Sequence, residues 1–152
     1  MTLSGVVRND GGLAFEDGDD HGRVIVSAAM SGGEYSVLEY VVAPWTDVTN
    51  PNNGFGVHRH GTFEETFLIR AGELEFMIGD EVVTLACGDF VRVPRATRHG
   101  YRNMTAEPVG LIVTFVPGGF EELFVKYRTD GPTVDGPGFV IEATTLFDSD
   151  YS

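Results

Sequence analysis

At 152 residues, 42% hydrophobic and 11% aromatic, the chain is long enough for one well-filled core and too short for two ordinary domains. Ten basic residues against 23 acidic ones leave a formal charge of −13, which repels phosphate backbones and anionic lipid and so excludes nucleic acid and membrane surfaces as partners. Cys87 is the only cysteine, the start MTLSGVVRNDGG lacks the basic and apolar regions of a leader, and no run approaches the roughly 18 apolar residues of a membrane span, so a reducing, cytoplasmic setting is expected.

The first 22 residues read as an acidic loop with an arm strand. Within NDGGLAFEDGDDHG, Asp17, Asp19 and Asp20 hint at calcium but lack the ligand spacing and the terminal Glu of a calcium loop, and His21 reads as a surface residue. From residue 23 the signals become those of an all-β domain. RVIVS, EYSVLEYVVAP, FGVHRH, ETFLIR, ELEFMI, EVVTLA, DFVRVP, HGYRN and VGLIVTFV are rich in Val, Ile, Phe, Tyr and Thr, and turn residues such as SGG, TNPNNG, GD and CGD separate them. So many short strands in so short a span predict a sandwich or small barrel. In ELEFMI, Glu73 and Glu75 alternate with Leu74, Phe76 and Ile78, the period of a strand wetted on one side.

After Pro117, GGFEELFVKYR places Phe120, Leu123, Phe124 and Tyr127 on one helical stripe, predicting a short helix packed outside the barrel. Residues 129–152 form a Gly-, Pro- and Asp-rich tail of uncertain structure in which only GFVIEA suggests a strand. The expected organisation is therefore residues 1–22 as loop and arm, 23–128 as barrel plus helix, and 129–152 as tail. RVIVSAAM is apolar, lacks proline and carries only Arg23 as a charged guard, so as an exposed edge it predicts pairing into a homodimer. Asn103-Met104-Thr105 has the form of a glycosylation acceptor but reads as coincidence in the absence of a leader.

The chemistry concentrates in HRHGTFEETFLIRAG, residues 58–72. Strand residues two apart share a face, so His58 and His60 point one way and Arg59 the other. Glu65 opens the neighbouring strand, and the alternation Glu65, Phe67, Ile69 places it on the interior face, with Glu64 as the runner-up. His99 opens a later strand. Three imidazoles and a carboxylate converging from separate strands suit a divalent transition metal. Basic residues crowd the same region: of nine arginines, Arg92, Arg95, Arg98 and Arg102 flank His99, to meet either an anionic substrate or the excess surface acids.

Residues 58–72 spell H-x-H-x4-E-x6-G, and residues 88–103 spell G-x5-P-x4-H-x3-N, with 15 residues between them. In both signatures and their order the chain resembles the cupin superfamily, and its flanks, SGGEYSVLEYVVAP and VPGGFEELF, resemble quercetinase-like bacterial monocupins. The resemblance covers roughly residues 20–128 and implies a double-stranded β-helix or jelly-roll barrel with His58, His60, Glu65 and His99 as metal ligands. Two positions depart from the pattern: Asn52 stands where the first motif opens on Gly, with Gly54 and Gly56 nearby, and Ala96 stands where the second has Gly, predicting a tighter or differently shaped turn before His99.

The resemblance further implies one divalent metal ion (Fe, Ni, Mn, Co, Cu or Zn), a small aromatic or enolic substrate cleaved by O2, and Glu65 as ligand, proton acceptor or both. Phe63, Phe67, Phe76 and Tyr101 are candidates for the substrate pocket, with core packing the competing role for each. A metal-dependent cyclase or isomerase of a keto substrate, and a non-enzymatic small-molecule-binding cupin, are the alternatives.

Overall fold

The structure, a computed structural model, describes residues 5–45, 54–129 and 149–150. In chain order the elements are Leu13–Asp17 (β1), Asp20–Val26 (β2), Ala28–Ser31 (α1), Ser36–Val42 (β3), Arg59–His60 (β4), Glu64–Ala71 (β5), Glu73–Ile78 (β6), Glu81–Ala86 (β7), Phe90–Val93 (β8), His99–Arg102 (β9), Val109–Val116 (β10), Glu121–Thr129 (α2) and Ser149–Asp150 (β11).

Strict alternation builds the main sheet. Leu38, Tyr40 and Val42 on β3 and Val109, Leu111, Val113 and Phe115 on β10 are buried while their neighbours are half-buried, so each strand turns one apolar row to the core. These two strands pair antiparallel with Val109 opposite Val42. They lie within a six-stranded sheet ordered β1-β2-β3-β10-β5-β8, faced by a three-stranded sheet ordered β7-β6-β9. Leu74 and Phe76 from the small sheet meet Phe67 and Ile69 from the large one in a single apolar core, Phe67 and Phe76 edge to face with ring centroids 5.0 Å apart. The β3-to-β10 and β10-to-β5 neighbours are distant in sequence, the crossed connection of a jelly roll. The all-β barrel with a short C-terminal helix is thus as the sequence predicts, and β6, β7 and β10 match their predicted segments residue for residue.

Three local expectations are corrected. The supposed acidic loop is a hairpin, β1 pairing with β2 from Leu13 opposite Val24 to Asp17 opposite Asp20; Phe15, buried at its centre, supplies the apolar anchor. Because β1 covers it, the 23–27 segment is an interior strand between β1 and β3 and not the free edge on which the dimer argument rested. FGVHRH is regular strand only at Arg59–His60, which pairs with β11, while His58 makes a bridge to His99. The helix packs its stripe on the barrel as expected: Phe124 stacks on Phe15 with centroids 4.7 Å apart, and Phe120, just before α2, reaches the rings of His60 and Phe63 at 5.0 and 5.1 Å. Unforeseen is α1, one turn capped by the Ser27 side chain and closed by Gly32 in the left-handed region. GFVIEA lies outside the described residues.

Asn103 is 1% exposed, and its amide donates to the Val42 and Glu107 carbonyls at 3.1 and 2.7 Å. A side chain so committed is not a glycan acceptor; it clamps the end of β9 to the end of β3.

Ala96 adopts φ 62°, the left-handed conformation that glycine occupies without strain. Its N–H donates to the His60 carbonyl at 2.6 Å, so this strained turn ties the second signature to the first. Replacing Ala96 by Gly relieves the Cβ clash while loosening the unfolded chain; the expected net gain is about 0.5–1 kcal/mol, read as a higher urea midpoint at unchanged slope.

Candidate metal centre

The four predicted ligands come together between the two sheets. One ligand atom from each of His58, His60, Glu65 and His99 lies within 4.8 Å of all the others. Glu65 projects from β5 of the large sheet and His99 from β9 of the small one, with Glu65 Oε2 2.9 Å from His99 Nε2 and 3.5 Å from His60 Nε2. His58 joins β9 through paired backbone hydrogen bonds, each residue's N–H donating to the other's carbonyl at 2.9 Å. As alternation requires, His60 is buried and Arg59 exposed. On β5, Glu65, Phe67 and Ile69 are buried, whereas Glu64 turns outward and pairs with Arg92.

The donor set fits a transition metal. Nδ1 of His58 lies 2.8 Å from the Gly56 carbonyl and Nδ1 of His99 lies 2.9 Å from the Thr97 carbonyl. Each such contact places a proton on Nδ1; at His58 this leaves Nε2 a lone pair for a metal, whereas His99 Nε2 carries the proton that it donates to Glu65 and would give up to a metal. Burial also supplies the right charge states. Loss of solvent, then repulsion by His99 and His60, brings His58 down to about 3, so it is a neutral imidazole at working pH. Burial alone would push Glu65 up, but the His60 and His99 imidazoles beside it hold it at about 2, a fixed carboxylate. For His99 burial pulls downward, yet the contact with Glu65 outweighs it and the pKa ends above the usual imidazole value.

Close approach of the chain makes this assembly. A Cβ on Gly100 would sit 2.3 Å from the Phe55 carbonyl oxygen, so only glycine lets the segment before His58 lie against β9. Gly54, at φ +88°, likewise presses against the Trp45 ring, where a Cβ would come within 2.4 Å. Asn52 itself lies outside the described residues; Gly54 and Gly56 both take positive φ, the freedom expected of them.

A cavity of about 430 Å³ opens beside the cluster, lined by His58, Tyr101, Arg102, Trp45, Phe55, Asp17 and Asp20 among others. Of the four pocket candidates only Tyr101 lines it. Phe63 stacks on His60 with centroids 4.2 Å apart, and Phe67 and Phe76 are fully buried beneath His99; they are core, because the inward rows of both strands meet there. Sequence reasoning missed Asp17, Asp20, Trp45 and Phe55, for these come from segments whose approach to His58 leaves no trace in local periodicity. The arginines divide similarly: Arg92 pairs with Glu64, Arg95 donates to the Thr62 carbonyl at 3.1 Å, and Arg98 approaches Asp80 at 3.9 Å. Arg102 lies over the Phe55 and Trp45 rings while its Nε donates to Glu75, and it alone of the four lines the cavity.

Residues 47–115 match the Cupin domain family. The fold is that of a cupin barrel. The chain is 26% identical over 129 residues to quercetin 2,3-dioxygenase of Bacillus subtilis, a match covering 85% of this chain and 35% of that one, so the chain spans about a third of that relative's length. A predicted oxalate decarboxylase from Thermotoga maritima superposes with a TM-score of 0.62 at 18% identity, over 74% of this chain and 98% of that one. A nucleoside dehydratase superposes at 0.58 with 17% identity, over 78% and 87% of the two chains. The two structural likenesses concern the fold.

No helix among the described residues is long and apolar enough to cross a membrane.

Two outcomes follow from the cluster. His58→Ala or His99→Ala should remove most of the metal that the wild type binds, by elemental analysis, while circular dichroism still reports a folded β protein. Because His99 holds its proton above the usual range and a ligand must be neutral, metal uptake should release protons: affinity measured calorimetrically rises with pH up to the raised His99 value and flattens beyond it.

Proposed function

We propose that this protein is a metal-dependent dioxygenase acting on a small aromatic or enolic compound. The observation that carries the reading is the buried three-histidine, one-glutamate cluster whose least buried member, His58, opens onto a cavity of about 430 Å³, a volume suited to a drug-sized ligand. The partial match to quercetin 2,3-dioxygenase supports the choice of an enolic ring as substrate.

His58, His60, Glu65 and His99 would hold the metal, which when bound supplies a Lewis acid for an enolic oxygen and access to O2 chemistry. The protein's own contribution is separable. Trp45 and Phe55 offer ring surface for the substrate and Tyr101 a hydroxyl. The aromatic floor of Phe63, Phe67 and Phe76 keeps water from the buried side of the cluster. Glu65 is ionised throughout the working range, and once released from its imidazole donors its carboxylate accepts the enolic proton. With O2 as oxidant, the reaction cleaves a ring carbon–carbon bond and delivers both oxygen atoms to the product.

Oxygen consumption by the metal-loaded protein with quercetin as substrate tests this. Glu65→Gln should retain appreciable metal and lose turnover by about 10²-fold or more, whereas Glu64→Gln, on the surface with Arg92, should stay within about twofold. Equal losses at both positions, or turnover of an enolic compound under argon, would overturn the dioxygenase reading; the second result would favour a cyclase or isomerase.

A further inference from the structure

The wall of the cavity beside His58 is uneven in charge. The β1–β2 hairpin contributes Asp17, Asp19 and Asp20 to it, and Trp45, Phe55 and Arg102 also line it. The three acids fall within residues 17–20 because Gly18, at φ 62°, turns the chain tightly there and carries the end of each strand to the cavity. Among the described residues no Lys, Arg or His side chain forms an ion pair with any of the three.

The partners of these acids are neutral donors. The Tyr40 hydroxyl donates to Oδ2 of Asp17 at 2.6 Å and to Oδ2 of Asp20 at 3.2 Å, and the Ala43 N–H donates to Oδ1 of Asp20 at 2.8 Å. An ionised carboxyl accepts several hydrogen bonds, so one phenol proton and one amide leave this wall rich in acceptors. Arg102, the only Lys or Arg among the described lining residues, is engaged elsewhere. Its Nε donates to Glu75 at 2.6 Å, and its guanidinium lies over the rings of Phe55 and Trp45 at 4.3 and 5.5 Å. Burial raises the carboxyls of Asp17 and Asp20, that of Asp20 to about 6, so the Asp20 carboxylate is fully formed by about pH 8.

We propose that this cavity selects its ligand by charge, with Asp17, Asp19 and Asp20 as the specificity-determining residues. It takes a ring compound that is uncharged or cationic and carries hydroxyl or ammonium donors, and it rejects one bearing a carboxylate, sulfate or phosphate. The inference deepens the enzymatic reading above, on which it rests for the choice of a ring, by naming the class of compound admitted to that same site. A ring set against Trp45 and Phe55 turns its donors to the acceptor-rich wall, whereas an anion there meets carboxylates with no cation to offset them. The net charge of −13 acts in the same direction, but salt screens it beyond about 8 Å, so the discrimination belongs to the wall itself.

Trp45 is the only tryptophan of the chain and lines the cavity, so its fluorescence reports occupancy without turnover. The full chain is titrated free of metal, so that no bound cation draws a carboxylate, at about pH 8, where Asp20 is ionised. The probes are benzyl alcohol, benzylamine and benzoate, each carrying two meta hydroxyls, which share one ring and differ in charge. The alcohol and the amine should bind, and the benzoate should bind at least about tenfold more weakly than the alcohol. Asp20→Asn, which keeps an oxygen for the Ala43 N–H, should narrow that gap to about threefold or less. Asp19→Asn, in the exposed turn, should narrow it in the same direction without disturbing the hairpin. Benzoate binding as tightly as the alcohol in the wild type, a gap unchanged in both variants, or a fluorescence that none of the three probes moves would overturn the proposal. If the charge order holds while quercetin consumes no oxygen, the dioxygenase reading fails and the charge-selective cavity stands.

Discussion

Glu65 and His99 meet at 2.9 Å between the two sheets, and the rest of the structure is arranged around that contact. A carboxylate that is 7% exposed is tolerated in a core only when charge-assisted hydrogen bonds replace its water. Here the replacement comes from His99 on the small sheet, with the His60 imidazole 3.5 Å away at the end of β4. The pairing therefore fixes how β5 and β9 face each other. It also explains why the four residues sit close together before any metal is considered: the carboxylate needs imidazole N–H donors, and the Gly56 and Thr97 carbonyls orient the His58 and His99 rings.

The surroundings of this polar knot are uneven in a way that bears on chemistry. On one side Phe63, Phe67, Phe76 and Phe120 pack against the histidine rings. On the other, His58 faces a cavity whose wall mixes Trp45 and Phe55 with Asp17, Asp20, Tyr101 and Arg102. Apolar packing on one flank raises the strength of every electrostatic interaction in the cluster, while the open flank supplies ring surface and exchangeable protons. A metal held in such an arrangement would be open on one flank, unlike a structural site enclosed on all sides.

Backbone economy makes the arrangement fragile at a few points. Gly100 allows the Phe55–Val57 segment to lie directly on β9, and Ala96 accepts a left-handed turn so that its N–H can reach the His60 carbonyl. Both positions flank His99, and both connect the two signatures through backbone contacts. Strain of this kind persists where the surrounding structure over-determines it, and the buried Asn103 network beyond β9 provides such support.

Local sequence rules determined a large part of this protein. Alternation along ELEFMI, EVVTLA and VGLIVTFV fixed three strands to the residue, because a period of two needs no partner to be visible. The same parity put His58 with His60 and chose Glu65 over Glu64, so the ligand set was legible once the spacing of the two signatures was recognised. What the tertiary structure alone decided involves residues with no local periodicity to betray them. LAFED carries only one buried residue, Phe15, among acidic neighbours, and reads as loop until β2 is there to pair with it. That pairing removes the free edge expected at residues 23–27. The cavity wall depends on the same hairpin, since Asp17 and Asp20 reach Tyr40 only after β1, β2 and β3 are laid side by side. Phe63, Phe67 and Phe76 show the converse: their alternation correctly placed them inside, but an inward-facing ring becomes core or pocket according to what stands opposite, and that is a property of the packed sheets and not of any one strand.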